Sequence, residues 1–184
     1  EMAAYSPHFA SAVAALSRGD IDAAVSSFEA SWRCAEANAV REDGRLTVSR
    51  EWIDAFCGTM FCAMSAGYYS DVVQMDKKLT SWVMGGTPTC ATGEPIVLRD
   101  PLPSRSGWWW YFDAAAKSYD QLNDFDNGLV IADMAVNYFR KEGSPGNAGY
   151  FLSRKVGLLG QRAALRSQDT LARVDARKDA LDAV

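Results

Sequence analysis

The amino-acid sequence predicts an all-α protein of about eight helices, arranged as roughly four antiparallel hairpins. Two observations favour this class. Apolar residues recur at spacings of three and four over most of the 184-residue chain, which is the period of an amphipathic helix. Glycines, prolines and short polar segments interrupt this pattern at places where a helix would end and the next would begin.

The first hairpin is predicted over residues 6–37. Ser6-Pro7 is a favourable helix start, because serine can cap free backbone N–H groups and proline is tolerated in the first turn. The apolar residues that follow, from Phe9 onward, are spaced for one helix face. The segment 18–20, Arg-Gly-Asp, then ends this helix and begins the second one.

A polar segment over 38–48, with Gly44 as a breaker, predicts a loop before the second hairpin at 49–84. The next segment, 85–106, contains four of the six prolines of the chain, so no helix is expected to run through it. We predict a long irregular loop there. Loops of this length are uncommon in compact domains and are often functional.

The third hairpin is predicted over 107–142 and ends at the segment 143–146, Gly-Ser-Pro-Gly. The remaining residues predict a last hairpin over 147–183, with one helix over about 148–165 and another over about 169–183.

The third hairpin carries a recognisable set of residues. Its first helix has an aromatic residue, a pair of small residues and a tyrosine, and its second helix has small residues at regular spacing: Phe112, Ala115, Ala116 and Tyr119, then Gly128, Ala132 and Ala135. This segment resembles a tetratricopeptide repeat. The resemblance implies one domain over 1–184, a short right-handed solenoid in which the divergent hairpin 147–183 caps the stack.

The spacing of the units agrees with insertions between degenerate repeats. Equivalent first-helix positions fall at His8, Phe56 and Phe112. Their separations exceed the ~34-residue period of the family by about 14 and about 22 residues. These surpluses match the segments 38–48 and 85–106.

The resemblance also implies a concave groove that binds a protein or peptide partner. Transferred to this chain, the groove positions are Trp110, Asp113, Lys117, Asp120 and Gln121 on the fifth helix and Asp54, Phe61 and Met64 on the third. This mixture suits a docked peptide, since aromatic side chains provide buried area and charged ones fix the register.

The run of five aromatic residues at 108–112 has two interpretations. Successive residues of a helix are ~100° apart, so the five side chains cannot all face one core. Some of them could anchor the long loop to the helices. Alternatively, one of them is exposed as a partner anchor, because tryptophan and tyrosine dominate interface hot spots.

Charge and composition limit the classes of partner. The net charge of −4 disfavours a dedicated nucleic-acid binder. Residues 145–184 contain seven basic and four acidic residues, so these C-terminal helices either present a solvated face or contact an acidic partner. No apolar run is long enough to span a membrane, so a soluble protein is expected. The compartment stays open, since a chain that begins with Glu1 could be a processed mature form.

No pattern of catalytic or metal-binding residues is present. His8 is the only histidine and has no neighbouring nucleophile, and the four cysteines lack a zinc-binding spacing. Three of the cysteines lie in apolar helical runs, and a disulfide from Cys90, which lies in the long loop, stays open. The aspartates at 120, 124 and 126 are explained by capping at a turn.

We therefore predict a protein that is not an enzyme and has no cofactor. The expected function is that of a protein-binding scaffold, such as an adaptor, assembly factor, chaperone or accessory subunit of a larger complex. The alternative is a helical subunit that binds a ligand or cofactor in an apolar pocket walled by the aromatic run and the long loop.

Overall fold

The structure, a computed structural model, describes the backbone of residues 5–182 and the side chains of residues 5–171. The described residues are mostly helical, as predicted, and also contain one small sheet. The helices are α1 (Pro7–Ser17), α2 (Ile21–Ala37), α3 (Arg50–Ser65), α4 (Tyr69–Val83), α5 (Arg105–Gln121), α6 (Phe125–Lys141) and α7 (Pro145–Asp182). The strands are β1 (Val40–Glu42), β2 (Arg45–Val48) and β3 (Ile96–Leu98). The chain divides into two compact units, the first ending at Ser118 and the second beginning at Tyr119.

Helices α1 and α2 form an antiparallel hairpin at the start of the first unit. The side chain of Ser6 caps α1 by accepting from the backbone N–H of Phe9, and the side chain of Asp20 caps α2 by accepting from that of Ala23. Helix α2 also packs on α3, and α3 packs on α4, so the helices up to Val83 contact one another in chain order.

The segment predicted as a loop at 38–48 is instead a β-hairpin. Strands β1 and β2 pair antiparallel, and the turn between them is formed by Asp43 and Gly44, both with positive φ (50° and 75°). Two consecutive positive φ angles are what a type I′ turn requires, and Asp-Gly is a preferred pair for it. The prediction of a loop was wrong because Gly44 serves as a turn residue between strands.

The long segment 85–106 is mostly irregular, but Ile96–Leu98 forms β3. This strand pairs parallel with β2, with Leu46 opposite Ile96, and completes a sheet of order β1-β2-β3. Ile96 is buried. The hairpin α3–α4 therefore lies in the chain between two parallel neighbouring strands, as parallel pairing requires a long connection.

In the second unit, α6 packs along α7. The backbone of Gly128 lies close to Leu158 of α7 and to Tyr119. A methyl group added at Gly128 would be 3.3 Å from the Leu158 side chain and 3.4 Å from that of Tyr119. The predicted hairpin 147–183 is not formed, since residues 145–182 are one continuous helix. The expected break near 166–168 contains neither glycine nor proline, and Ser167 and Thr170 donate to the carbonyls of Ala163 and Arg166 within the helix.

Candidate partner-binding groove

The predicted groove residues of α3 lie largely inside the first unit. Asp54 is fully buried, and its carboxylate accepts from the hydroxyl of Tyr5 (2.5 Å) and the backbone N–H of Ser104 (2.8 Å). Met64 is buried as well. Phe61 is partly buried and packs against Trp109, with ring centroids 5.8 Å apart. Asp54 therefore ties two chain segments together and has no exposed surface with which to contact a partner.

The predicted groove residues of α5 in the first unit are also mostly internal. The ring of Trp110 lies 6.0 Å from that of Phe9 and 5.5 Å from that of Phe28, between centroids. Asp113 is buried and Lys117 partly buried. Trp110 is therefore partly buried among core side chains and is not the exposed anchor that one interpretation of the run required. All five aromatic residues of the run 108–112 are buried or partly buried, because α5 begins among the packed helices of this unit.

A second buried carboxylate, that of Glu51, joins the N-terminal end of α1 to α3 by hydrogen bonds. Glu51 accepts from the backbone N–H of Ser6 (2.9 Å), from the Ser6 hydroxyl, and from the hydroxyl of Ser31 (2.5 Å). Asp76, a third, accepts from the hydroxyl of Tyr111 at 2.8 Å. Each of these acids has hydrogen-bond donors as partners, which offsets part of the cost of burying a carboxylate.

The electrostatics of this region follow from burial. Loss of solvation raises the pKa of Asp54 above its ordinary value, and the hydrogen bonds from Tyr5 and Ser104 lower it only in part. Burial also raises the pKa of Tyr5, and the hydrogen bond to Asp54 raises it further. Desolvation is therefore the main cause of both shifts in pKa.

The other two predicted residues, Asp120 and Gln121, line a groove in the second unit. They stand on the last turn of α5, and the opposite wall is α7. The groove has a volume of about 350 Å³, and its remaining lining residues are Asn123, Phe125, Gln161, Ala164, Leu165 and Gln168. The α7 residues are spaced by three and four positions, so they project from one face of that helix.

The turn between α5 and α6 shapes one end of this groove. Asn123 has a positive φ of 58°, and its backbone N–H donates to the carbonyl of Asp120 (3.0 Å). Asp124 caps α6 by accepting from the backbone N–H of Asn127 (3.3 Å). The predicted capping role is confirmed for Asp124, whereas Asp126 pairs with Arg162 at 2.6 Å.

The groove is chemically suited to an extended chain. Three glutamines and one asparagine supply amide groups that both donate and accept hydrogen bonds, as a peptide backbone needs. Leu165 and Phe125 add apolar surface, and Asp120 adds one negative charge. Gln161, Leu165 and Gln168 were not among the predicted residues, because a helix end was expected at Leu165. The absence of glycine and proline over 161–182 was the signal for a continuous helix.

A larger cleft of about 690 Å³ lies in the first unit, beside the sheet. Its lining combines Trp82, three prolines of the long segment, residues of β3 and two charged side chains: Gly44, Arg45, Trp82, Gly85, Gly86, Thr87, Pro88, Glu94, Pro95, Ile96, Val97, Leu98 and Pro101. Glu94 is paired with Arg41 at 2.7 Å. The long segment lines this cleft, and the aromatic run 108–112 does not.

The cysteines form no disulfide and no metal-ligand cluster in the part of the chain that the structure describes. All four cysteines are free, so Cys90 is not in a disulfide. Its thiol lies 3.0 Å from the hydroxyl of Thr92, and this hydrogen bond lowers the pKa of Cys90. Among residues 5–171, no three histidine, cysteine, aspartate or glutamate side chains gather as metal ligands.

Within the described residues, no helix combines the length and apolar character needed to cross a bilayer.

No protein-family model, curated protein or solved structure matches this chain. The likeness to the tetratricopeptide family is therefore carried by the residues of the third hairpin alone. All seven of those residues are buried: Phe112, Ala115, Ala116, Tyr119, Gly128, Ala132 and Ala135.

Proposed function

We propose that this protein is a non-catalytic scaffold that binds a protein or peptide partner, built as a short right-handed, tetratricopeptide-like solenoid. The packing of α1 on α2, α2 on α3, α3 on α4 and α6 on α7 supports the repeat architecture, as do the buried small residues of α5 and α6. The observation that carries the function is the amide-lined groove of the second unit, which includes the predicted residues Asp120 and Gln121.

In this proposal, an extended segment of the partner lies along α7. The amides of Gln161 and Gln168 hydrogen-bond its backbone, and Leu165 contacts an apolar side chain. Asp120 favours a basic residue at one end and disfavours phosphate groups, so nucleic acid is not the expected partner. The partner-binding set thus shifts from Trp110 and α3 to the last turn of α5 and the adjoining face of α7.

A selection from a random-peptide library tests this proposal without knowledge of the partner. Immobilised full-length protein should enrich a family of related peptides, and their affinity should fall by more than about tenfold in the double variant Gln161→Ala, Gln168→Ala. The matched control is Asn137→Ala, an exposed amide on α6 outside the groove. Enriched peptides that bind wild type and double variant equally, or a selection that enriches none, would overturn the proposal.

The cleft of the first unit supports a second candidate function, a small-molecule carrier. Its volume lies in the range of ligand sites, and Trp82 with three prolines offers apolar surface beside Arg45. The ligand class that fits is an apolar carboxylate. A panel of aromatic carboxylates should raise the melting temperature of the first unit, and Arg45→Gln should abolish the shift. The matching alcohols serve as controls, and equal shifts with both series would exclude this function.

A further inference from the structure

The second unit exposes large apolar side chains on both of its long helices. On α7, Leu152, Val156 and Leu159 are 43%, 63% and 39% exposed, and on α6, Val130 and Met134 are 56% and 45% exposed. The α7 residues follow one another at spacings of four and three, which places them in one stripe along the helix. We call these five residues the apolar face.

Two ion pairs show that both stripes lie on the same side of the α6–α7 hairpin. Asp133 pairs with Lys155 at 2.5 Å, and Asp126 pairs with Arg162 at 2.6 Å. On α6, Val130 stands three or four positions from both acids, and Met134 is four positions from Val130. On α7, Leu152 and Leu159 stand three or four positions from a member of these pairs, and Val156 lies at that spacing from both leucines. Residues at that separation are neighbours on a helix surface. The ion pairs therefore form a seam, and apolar side chains border it on both helices.

These pairs also account for the basic character of the C-terminal segment. Lys155 and Arg162 are neutralised by acids of α6, and Arg154 donates to the hydroxyl of Tyr150 at 2.7 Å. Farther along the helix, over 166–182, the sequence has four basic and four acidic residues. This end of α7 is therefore neutral, with both signs interspersed, and does not favour a strongly acidic partner.

The end of α7 extends beyond its packing partner. The pair Asp126–Arg162 joins the first turn of α6 to α7, and from residue 163 to residue 171 every side chain is exposed, including Leu165 and Leu171. Helix α7 continues to Asp182, so about 20 residues, or ~30 Å, lie past the pair. A helix of that length is marginal in water without tertiary packing.

We propose that a second copy of this chain covers the apolar face, with the end of α7 from each copy lying on the apolar face of the other. One chain has both an uncovered apolar face and a helix end whose side chains over 163–171 are exposed. In a two-fold dimer, each copy's helix end would cover the apolar face of the other. Because the helix end carries equal numbers of basic and acidic residues, it suits association with another copy of this chain better than binding to a strongly acidic or strongly basic partner. The apolar face and the peptide-binding groove lie on different faces of α7.

The oligomeric state of the full chain tests the proposal. Light scattering coupled to size exclusion should give twice the chain mass of 20.1 kDa for the wild type. Val156→Glu and Leu171→Glu should each weaken the dimer by more than about tenfold, one from the face and one from the helix end. Both positions are exposed, so the far-UV circular dichroism of the variants should match that of the wild type.

Val13→Glu on α1 is the matched control, because Val13 is an exposed valine of the first unit. It should leave the dimer intact. A wild-type protein that stays monomeric over the micromolar range would overturn the proposal. A dimer that persists in both Val156→Glu and Leu171→Glu would overturn it too, as would a monomer that gains mass only on addition of a different protein.

Discussion

Replacement of Gly58 by alanine should destabilise the first unit, although the same change usually stabilises a helix. Gly58 lies in the middle of α3. A methyl group built there would be 2.6 Å from two carbons of the Phe28 ring and closer still to a third. The Phe28 ring is fully buried and packs on Phe9 and Trp110, at centroid distances of 5.6 and 5.5 Å, so it has little room to move.

Two opposing terms set the size of the effect. Glycine costs a helix interior about 1 kcal/mol relative to alanine, so Gly58→Ala recovers that amount. Overpacking a tight core costs about 1–3 kcal/mol, and contact with three ring atoms of a confined side chain places this site toward the upper end. We therefore expect a net loss of about 1–2 kcal/mol in the free energy of unfolding.

Urea unfolding followed by tryptophan fluorescence measures this loss. All six tryptophans precede residue 119, so their fluorescence reports on the first unit. The control is Gly149→Ala on α7, where an added methyl group meets nothing within 4 Å. It should leave the fluorescence midpoint unchanged. Adding Phe28→Leu to Gly58→Ala should reveal a favourable coupling, because the smaller side chain makes room for the methyl group.

A higher fluorescence midpoint for Gly58→Ala than for wild type would refute this reasoning. It would mean that the helix propensity term outweighs the steric one, and that the Phe28 ring does not press on α3 as the structure shows.

Three further predictions concern the same unit. Trp110→Ala should lower its stability by about 3 kcal/mol, because the ring packs against two core phenylalanines; an unchanged urea midpoint would show that Trp110 is free to serve a partner. Tyr111→Phe should cost about 1–3 kcal/mol by leaving Asp76 without its 2.8 Å hydrogen bond, and a neutral effect would point to a substitute donor. The pKa of Asp54 is higher in the folded state than its unfolded value of 3.8. Its contribution to the free energy of unfolding is therefore largest below pH 3.8 and is lost as the pH rises through the folded pKa. Asp54→Asn should therefore gain stability relative to wild type as pH rises from about 4 to about 7 in urea titrations, and a difference that does not vary with pH would contradict the shift.

Local sequence signals were sufficient for the positions of most helices. The caps Ser6 and Asp20 and the breakers Gly19 and Gly143 mark helix ends by mechanisms that depend only on neighbouring residues. The same reasoning could have found the β-hairpin, because the turn pair Asp43–Gly44 is flanked by strand-forming residues. It was missed because a single glycine was given the weight of a breaker.

Other features depend on residues distant in the chain and were not accessible to local reasoning. The pairing of β2 with β3 joins residues about 50 positions apart, and three strand residues among four prolines give no periodic pattern. The position of Trp110 depended on which helices surround α5. The groove positions were transferred from the repeat family by their place in the helix. Such a transfer does not show that Phe9 of α1 and Phe28 of α2 pack against the Trp110 ring.

The candidate site was predicted in part. Asp120 and Gln121 were named, but their companions on α7 were not, because the site needs a helix that continues past Leu165. A short polar stretch without glycine or proline is compatible with either a turn or a helix. Over the longer range 161–182 the absence of glycine and proline favoured the helix, and the hydrogen bonds of Ser167 and Thr170 within α7 agree with it.

The parallel pairing of β2 with β3 has a consequence for the order of folding. Pairing these strands closes a loop from Val48 to Ile96, and the formation of α3 and α4 shortens the distance that the loop must span. In the second unit, α6 and α7 are joined by a turn of three residues, so their contacts begin between near neighbours. Because folding slows as contacts become less local, the second unit should complete its helix packing while the first is still assembling its sheet.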